Sequence, residues 1–241
     1  MHVTILDLAV AANTVYNFNK GRGNDATVSA SASTAQRAPG GYQTVLTEEE
    51  IDVGFFGAVY QRPGAAEYII SYRGTVAGEG SSGRLVGNKN LVTDIGLYAI
   101  EKLPSCRQAA HRLLEHAQLV LPNATPILCG HSLGGAIATV IAVETASPCC
   151  AFNAPTVSKM VRGGIIHGPF VRVTKENLGA IERQIVNFNL QWDPISKSSK
   201  AVGKVIKLPA TLSAGGHSQD KVVANIRSSR YASVSFFDLV E

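Results

Sequence analysis

The amino-acid sequence predicts an α/β fold, with a mostly parallel central sheet that is covered by helices on both faces. Short apolar runs at 126–130 and 149–153 have the length of strands that are buried on both faces. The segment between them, 132–146, has the spacing of a helix and is apolar on nearly every side. Such a helix is covered by other elements rather than exposed to water. The alternation of strand, helix and strand then favours parallel neighbours in one sheet.

Size and composition favour a single domain over 1–241. The chain has 241 residues, of which 45% are hydrophobic and 17% charged, so it is long enough to bury a large core. The net charge of +4 is mild and no cluster of Lys or Arg is present, which excludes nucleic acid as an expected partner.

The N-terminal half combines a helix, two long loops and a hairpin. Apolar spacing predicts a first helix over 3–17. Two stretches rich in glycine and lacking apolar periodicity are predicted as long loops, at 19–41 and 76–89. Strands are predicted at 55–61 and 68–73, joined by the turn Arg62-Pro63-Gly64.

The remaining elements follow from the same patterns. Residues 105–121 form the clearest amphipathic helix, and its polar face carries His111 and His116, which we expect at the surface. The other predicted elements are a helix at 90–100, strands at 169–174, 183–190 and 203–208, and a last helix at 219–227.

The segment 127–135 reads ILCGHSLGG and is the most informative motif of the chain. It has the pattern G-x-S-x-G between a predicted strand and a predicted helix, which is typical of a serine nucleophile on a tight turn. Gly130 and Gly134 carry no Cβ, which leaves room where strand and helix nearly touch. The N–H groups at the start of the helix favour negative charge, which suits an oxyanion. Ser132 is therefore the candidate nucleophile.

A serine hydroxyl needs a base to take its proton. In enzymes with this motif the chain order is Ser, then Asp or Glu, then His. Two histidines follow Ser132, at positions 167 and 217. We favour His217 over His167, because His217 lies in the loop Ala-Gly-Gly-His-Ser that leads directly into the last helix.

The orienting carboxylate is predicted to be Asp193. It follows an apolar strand, at the strand end where active sites of such sheets lie, and Pro194 ends the pairing. The alternative interpretation of Trp192-Asp193-Pro194 is a simple Asx turn. Two other downstream carboxylates have simpler interpretations: Asp220 as a charge at the start of a helix and Glu182 as a surface charge.

An oxyanion hole needs two donors. The N–H of Leu133, directly after the nucleophile, is one candidate. Thr75 is the other, because it ends the strand segment Tyr72-Arg73-Gly74 and enters a glycine-rich loop. Arg73 is interpreted as a structural ion-pair residue with Asp94 as candidate partner, in preference to a substrate contact.

These motifs together resemble the class 3 lipases, the fungal triacylglycerol lipase-like family of α/β-hydrolases, and especially their bacterial lipase-like relatives. The resemblance runs from about residue 50 to 227 and rests on the following segments: Tyr72–Thr75, Asn90–Asp94, Gly130–Gly135, Phe152–Pro155, Asp193-Pro194 and His217-Ser218. It implies Ser132 as nucleophile, Asp193 as acid, His217 as base, and Thr75 and Leu133 as oxyanion donors. It implies that His131 lies beside the nucleophile as a structural residue, without a catalytic role.

The resemblance also implies a function, which we state as an expectation. The chain is expected to hydrolyse carboxylic esters through an acyl-enzyme, without metal or cofactor, on a lipid, phospholipid or small ester, with transient membrane contact. The family's lid position corresponds here to 76–89, which has little apolar surface, so strong activation at a lipid interface is not expected. Alternatives are a thioesterase or acyltransferase with the same triad, or an inactive hydrolase scaffold that binds lipid or another protein.

Two further expectations concern environment. The four cysteines, Cys106, Cys129, Cys149 and Cys150, are expected as free thiols, because three of them fall in or beside predicted buried strands. The first residues carry no basic stretch before their apolar run, so no secretory signal is predicted. We expect a soluble protein, cytoplasmic or exported without a cleaved signal. A delivered effector of this kind would have an inhibitor or immunity protein as partner.

Overall fold

A seven-stranded sheet forms the centre of the structure. The computed structural model describes residues 2–19, 38–74, 91–162, 173–196, 201–209 and 217–240. The strands lie side by side in chain order: β1 (Gln43–Glu50), β2 (Phe55–Gln61), β3 (Glu67–Tyr72), β4 (Thr125–His131), β5 (Cys149–Phe152), β6 (Ile185–Leu190) and β7 (Lys204–Leu208). Strand β2 is antiparallel to both β1 and β3, and β3 to β7 are parallel. The predicted mostly parallel sheet is confirmed.

The helices that connect the parallel strands share one face of the sheet. This face is covered by α2 (Leu91–Val120), α3 (Leu133–Thr145), α4 (Ser158–Arg162) and α5 (Lys175–Arg183). Strands that follow one another in one direction through right-handed crossovers place their helices on the same side. The opposite face therefore has to be covered by the ends of the chain.

Two helices from the two ends of the chain cover that opposite face, α1 (Ile5–Thr14) and α6 (Gln219–Arg227). They pack against each other and against the parallel strands, together with short 3-10 helices at Val15–Asn19, Arg230–Ser233 and Phe236–Asp238. Apolar side chains of the strands alternate between the two layers: Ile70 and Leu128 face the first, and Ile69 and Ile127 face the second. The predicted cover on both faces is confirmed.

Helix α2 corrects the prediction of two helices at 90–100 and 105–121. It is continuous from Leu91 to Val120 and contains Pro104. Proline removes one main-chain hydrogen bond, which is the usual reason to end a helix there. Buried apolar side chains on both sides of this position continue the packed face of the helix, including Leu103, Cys106 and Ala110.

Strand β1 is absent from the prediction. Its sequence, QTVLTEEE, shows neither strict alternation nor a continuous apolar run. It forms because it pairs with β2, and because Arg112 of α2 lies 3.0 Å from Glu48 and also binds Glu50. Both kinds of contact join residues that are distant in the sequence.

The predicted strand at 169–174 is wrong in its described part. Residues 169–172 lie outside the described residues, and Val173 and Thr174 do not belong to a strand. Thr174 is instead the N-cap of α5, whose first turn is closed by a capping box with Asn177. Helix α5 was not predicted.

The histidines of α2 also differ from expectation. His111 is buried, and its Nε2 lies 2.6 Å from the fully buried carboxylate of Glu144 on α3. Arg107 binds the other oxygen of Glu144 at 2.6 Å. A polar side chain at the edge of a helix face can be covered by a neighbouring helix, which α2 alone does not reveal. The side chain of His116 is about half exposed, as expected.

The four cysteines are free and buried, as predicted. Within the described residues, no helix is both long and apolar enough to cross a membrane. Most of the predicted loop 19–41, namely residues 20–37, and all of the predicted loop 76–89 lie outside the described residues.

Candidate active site

Ser132 lies at the junction of β4 and α3, between the last residue of the strand and the first residue of the helix. Its φ of 57° and ψ of −127° are rarely adopted by residues with a side chain. Its N–H donates to the carbonyl of Phe152 on β5 at 3.0 Å. Backbone strain of this kind persists only where the surrounding structure enforces it, and it is concentrated at functional sites.

Glycines on both sides make this sharp turn possible. A Cβ on Gly130 would overlap the backbone of Gly134, and a Cβ on Gly134 would overlap the carbonyl oxygen of Tyr72. Strand and helix therefore approach as closely as their backbones allow. The close approach expected from the sequence at Gly130 and Gly134 is confirmed.

His217 and Asp193 lie next to Ser132. The Nε2 atom of His217 is 2.7 Å from the Oγ atom of Ser132, and its Nδ1 atom is 2.7 Å from the Oδ1 atom of Asp193. The carboxylate can only accept, so Nδ1 carries the proton and Nε2 is free to accept the serine proton. The three residues come from three different segments: the β4–α3 turn, the end of β6 and the start of α6.

Asp193 is held in place by the main chain around it. The side chain is buried, its Oδ2 atom accepts the N–H of Ser196 at 2.8 Å, and its own N–H donates to the carbonyl of Leu190 at 3.0 Å. An Asx turn and an orienting carboxylate, the two interpretations of this segment, are therefore compatible. One carboxylate oxygen closes the local turn and the other faces His217.

Of the two candidate oxyanion donors, the structure describes Leu133 and does not describe Thr75. Leu133 is the first residue of α3, so its N–H belongs to the first turn, where N–H groups have no acceptor within the helix. Thr75 lies outside the described residues. The preceding Gly74 is described, and its N–H donates to the hydroxyl of Tyr16 at 3.0 Å.

Two further residues lie near the site: His131, which was expected beside the nucleophile as a structural residue, and Tyr16, which was not predicted there. The His131 ring lies against that of His217, with centroids 4.7 Å apart, and burial lowers the pKa of His131 well below its usual value. The hydroxyl of Tyr16 is 3.4 Å from both Nδ1 and the carbonyl oxygen of His131. Only the apolar spacing of the first helix pointed to Tyr16, so no sequence signal identified its contact with the site.

The other histidine and carboxylates that the sequence analysis considered either make contacts away from Ser132 or lie outside the described residues. His167 and the side chain of Asp94 are not among the described residues. Glu182 binds Arg162 at 2.6 Å, and Asp220 accepts a hydrogen bond from Asn13 in the first turn of α6, as expected for a helix-start charge. The guanidinium of Arg73 lies 5.2 Å from the centre of the Phe56 ring. No group of three or more potential metal ligands is present in the part of the chain that the structure describes.

The chain is similar in fold to solved fungal lipases. A nonglycosylated Lip2 lipase of Yarrowia lipolytica matches with a TM-score of 0.50 and 13% identity, over 85% of this chain and 77% of that chain. A lipase of Rhizopus microsporus var. chinensis matches with a TM-score of 0.49 and 10% identity, over 98% of this chain and 91% of that chain.

A second Lip2 structure from Yarrowia lipolytica matches at 13% identity with a TM-score of 0.43, over 68% of this chain and 66% of that chain, which is just under two thirds of its length. No protein-family model matches the chain, and no curated protein gives a significant match. The parallel sheet with its covered faces, the strand–serine–helix turn and the similarity to the first Lip2 structure agree with one another. The chain therefore has the α/β-hydrolase fold.

Proposed function

We propose that the chain is a serine hydrolase of carboxylic esters, with Ser132, His217 and Asp193 as its catalytic triad. The observation that carries this proposal is the continuous hydrogen-bonded series from the Ser132 hydroxyl through His217 to Asp193, with 2.7 Å at each step. A nucleophile, a base and an orienting carboxylate in this arrangement define the site by geometry and not by sequence position.

The reaction would proceed through an acyl-enzyme. The Ser132 oxygen attacks the ester carbonyl carbon while its proton passes to Nε2 of His217, and the carbonyl oxygen becomes an oxyanion. His217 then gives this proton to the leaving alcohol as the ester C–O bond breaks. Water repeats the two steps on the acyl-enzyme, which releases the acid and restores the Ser132 hydroxyl. Asp193 stabilises the imidazolium and holds the ring in one tautomer.

The oxyanion would be stabilised by the N–H of Leu133 and by Thr75. Removal of one such donor typically costs about 3 kcal/mol of transition-state stabilisation. Leu133 supports this assignment through its place at the start of α3, where the helix dipole favours negative charge. Thr75 is proposed from the sequence motif and from Gly74, which precedes it at the end of β3.

The proposed substrates are lipid esters or small soluble esters, with transient contact to a lipid surface in the first case. The neighbours of known structure are named as lipases, which supports an ester substrate at the level of chemical class. Membership in the class 3 lipase family is proposed on the same basis. Trp192 is 45% exposed and directly precedes Asp193, so it provides an amphipathic side chain beside the proposed site.

A fluorophosphonate probe, which labels activated serines, tests the proposal together with hydrolysis of p-nitrophenyl esters. We expect stoichiometric labelling of the wild-type protein on Ser132, and loss of both labelling and hydrolysis in Ser132→Ala without loss of fold. Ser147→Ala is the matched control, because Ser147 is a buried serine beyond the opposite end of α3. Wild-type hydrolysis in Ser132→Ala would overturn the proposal. An unlabelled and inactive wild-type protein would favour a binding role instead.

A further inference from the structure

Asn153 occupies an unusual position at the end of β5. It directly follows the last strand residue, Phe152, and is fully buried. Its φ of 46° lies in the left-handed region, which only three non-glycine residues of the described chain adopt. The other two are Ser132 and Ala146. Asparagine tolerates this region better than most residues, but a buried asparagine must also satisfy its amide group.

The side chain of Asn153 continues the sheet where its backbone leaves it. The N–H of Asn153 donates to the carbonyl of Phe188 on β6 at 3.0 Å. In a regular parallel ladder the carbonyl of the same residue would then accept the N–H of Leu190, two residues further along β6. That N–H instead donates to the side-chain Oδ1 of Asn153 at 2.8 Å. The side-chain amide thus takes the place of a main-chain carbonyl.

This substituted hydrogen bond lies between the two halves of the candidate site. On one side, the carbonyl of Phe152 accepts the N–H of Ser132 at 3.0 Å. On the other side, the carbonyl of Leu190 accepts the N–H of Asp193, also at 3.0 Å. Asn153 therefore connects β5, which binds the main chain of Ser132, to the turn that carries the carboxylate.

We infer that Asn153 is a positioning residue for Asp193, an inference that rests on the proposed function. Its side-chain carbonyl holds Leu190, the turn from Leu190 fixes the main chain of Asp193, and the carboxylate then meets Nδ1 of His217 at 2.7 Å. Glycine would adopt the left-handed backbone with less strain. The Nδ2 group of Asn153 is buried and finds no acceptor among the described residues, which is unfavourable. The hydrogen bond to Leu190 at the end of β6, and not a gain in local stability, therefore explains asparagine at this position.

The variant Asn153→Gly tests this, because it permits the left-handed backbone and removes the side chain that supplies the acceptor. We expect kcat for a soluble p-nitrophenyl ester to fall about 10- to 100-fold, as a small misplacement of catalytic groups does, with KM little changed. The acidic limb of the pH–rate profile should move to lower pH, because the imidazolium of His217 loses part of its stabilisation by Asp193. The charged or titratable groups that contact this ring in the described residues are Asp193 and His131.

Asn187→Ala is the matched control. Asn187 is likewise a buried asparagine but lies on β6, and its Nδ2 donates to the carbonyl of Val202 at 2.8 Å, on the side of β7 and away from Asp193. This variant should lose thermal stability but keep kcat and the pH profile of the wild type. Asn153→Asp, which keeps an acceptor oxygen, should lie closer to the wild type in kcat than Asn153→Gly. The inference fails if Asn153→Gly keeps wild-type kcat, or if both glycine and aspartate variants lose the same amount.

A second measurement does not depend on activity. The hydrogen-bonded Nδ1 proton of His217 should give a low-field proton NMR signal, assigned by its absence in His217→Gln. It should be weakened or shifted in Asn153→Gly and unchanged in Asn187→Ala. An unchanged signal in Asn153→Gly would overturn the inference, whatever the activity. A wild-type protein that shows this signal, loses it in Asn153→Gly and hydrolyses no ester would refute the proposed function and leave the positioning of Asp193 intact.

Discussion

The two carboxylate oxygens of Asp193 make two different contacts. Its Oδ1 faces Nδ1 of His217, and its Oδ2 closes the turn to Ser196. In Asp193→Asn one of these oxygens becomes an NH2 group, and an NH2 group beside Nδ1 favours the tautomer that protonates Nε2. We expect kcat to fall about 10⁴-fold, as in serine protease triads, with the fold retained.

Steady-state hydrolysis of a p-nitrophenyl ester and a thermal melt measure this effect. Asp220→Asn is the control, because it makes the same chemical change away from the site. Asp220 accepts a hydrogen bond from Asn13 at the exposed start of α6. Equal activity of the two variants would contradict the role of Asp193.

The hydroxyl of Tyr16 is a second residue-scale feature. It accepts the N–H of Gly74 at the end of β3, immediately before the proposed oxyanion residue Thr75. In Tyr16→Phe that N–H loses its acceptor, which should cost about 1–3 kcal/mol in the free energy of unfolding. We also expect kcat to fall about 10-fold, because the oxyanion segment is less well positioned.

Urea denaturation and ester hydrolysis test both effects of Tyr16→Phe. Tyr60→Phe provides the comparison, because Tyr60 is fully buried and its hydroxyl has no hydrogen-bond partner within the described residues. That variant should be neutral in stability and in rate. A Tyr16→Phe protein that matches Tyr60→Phe in both measurements would show that the Gly74 contact has no such role.

At the scale of elements, the contact between β3, β4 and the start of α3 decides the geometry of the site. Helix α3 is apolar on nearly all sides, and twelve of its residues, from Leu133 to Glu144, are buried. Its first turn contacts the strands through glycine backbone instead of side chains. The N–H groups of that turn can therefore come close to the ends of β3 and β4.

Gly134→Ala tests this element contact. The added Cβ would overlap the carbonyl oxygen of Tyr72, so α3 must move away from β3. We expect a loss of about 1–3 kcal/mol in the free energy of unfolding, as for other overpacking substitutions, and a large loss of hydrolysis. Gly179→Ala in α5 is the control of opposite sign, because nothing lies within 4 Å of its added Cβ and alanine favours a helix. Equal stability of the two variants would contradict the close contact.

The elements also show where sequence patterns succeed. Strands β4, β5 and β6 and helices α3 and α6 were predicted nearly at their observed bounds, because each carries a continuous apolar run or a clear helical stripe. Strand β1 lacks such a signal, whereas α5 has a stripe with Leu178 and Ile181 that is confined to nine residues. The first is held by pairing with β2 and by Arg112, and the second begins at a capping box that only partly resembles the common one, since Asn177 replaces the usual Glu or Gln.

At the scale of the whole molecule, buried His131 makes stability depend on pH. Burial lowers its pKa in the folded state well below 6.5, whereas the unfolded chain has the ordinary value. Between these two pKa values the unfolded state binds more protons, so folding stability rises with pH there. The stability is thus fully present above about pH 6.5 and is lost as pH falls below it, by up to about 1.4 kcal/mol per pH unit.

The free energy of unfolding of His131→Phe, measured from pH 7.5 to 5, checks this linkage. The slope of stability against pH below 6.5 should be smaller than in the wild-type protein, and the ring contact with His217 should be kept. His116→Gln serves as the control, since the His116 side chain is half exposed. Identical slopes in the wild type and in His131→Phe would show that His131 does not contribute to acid unfolding.

The sequence by itself determined the α/β class, the buried strands, and the identity and chain order of Ser132, Asp193 and His217 as candidate residues. These depend on local information: apolar periodicity, glycines around one serine, and short loops that follow strands. Their mutual distances, the burial of His111 against Glu144, the contacts of Tyr16 and His131, and the use of the Asn153 side chain in place of a main-chain carbonyl were decided only by the tertiary structure. Each of these joins segments that are far apart in the chain, because parallel strands bring their ends together only after the helices between them have packed on the sheet.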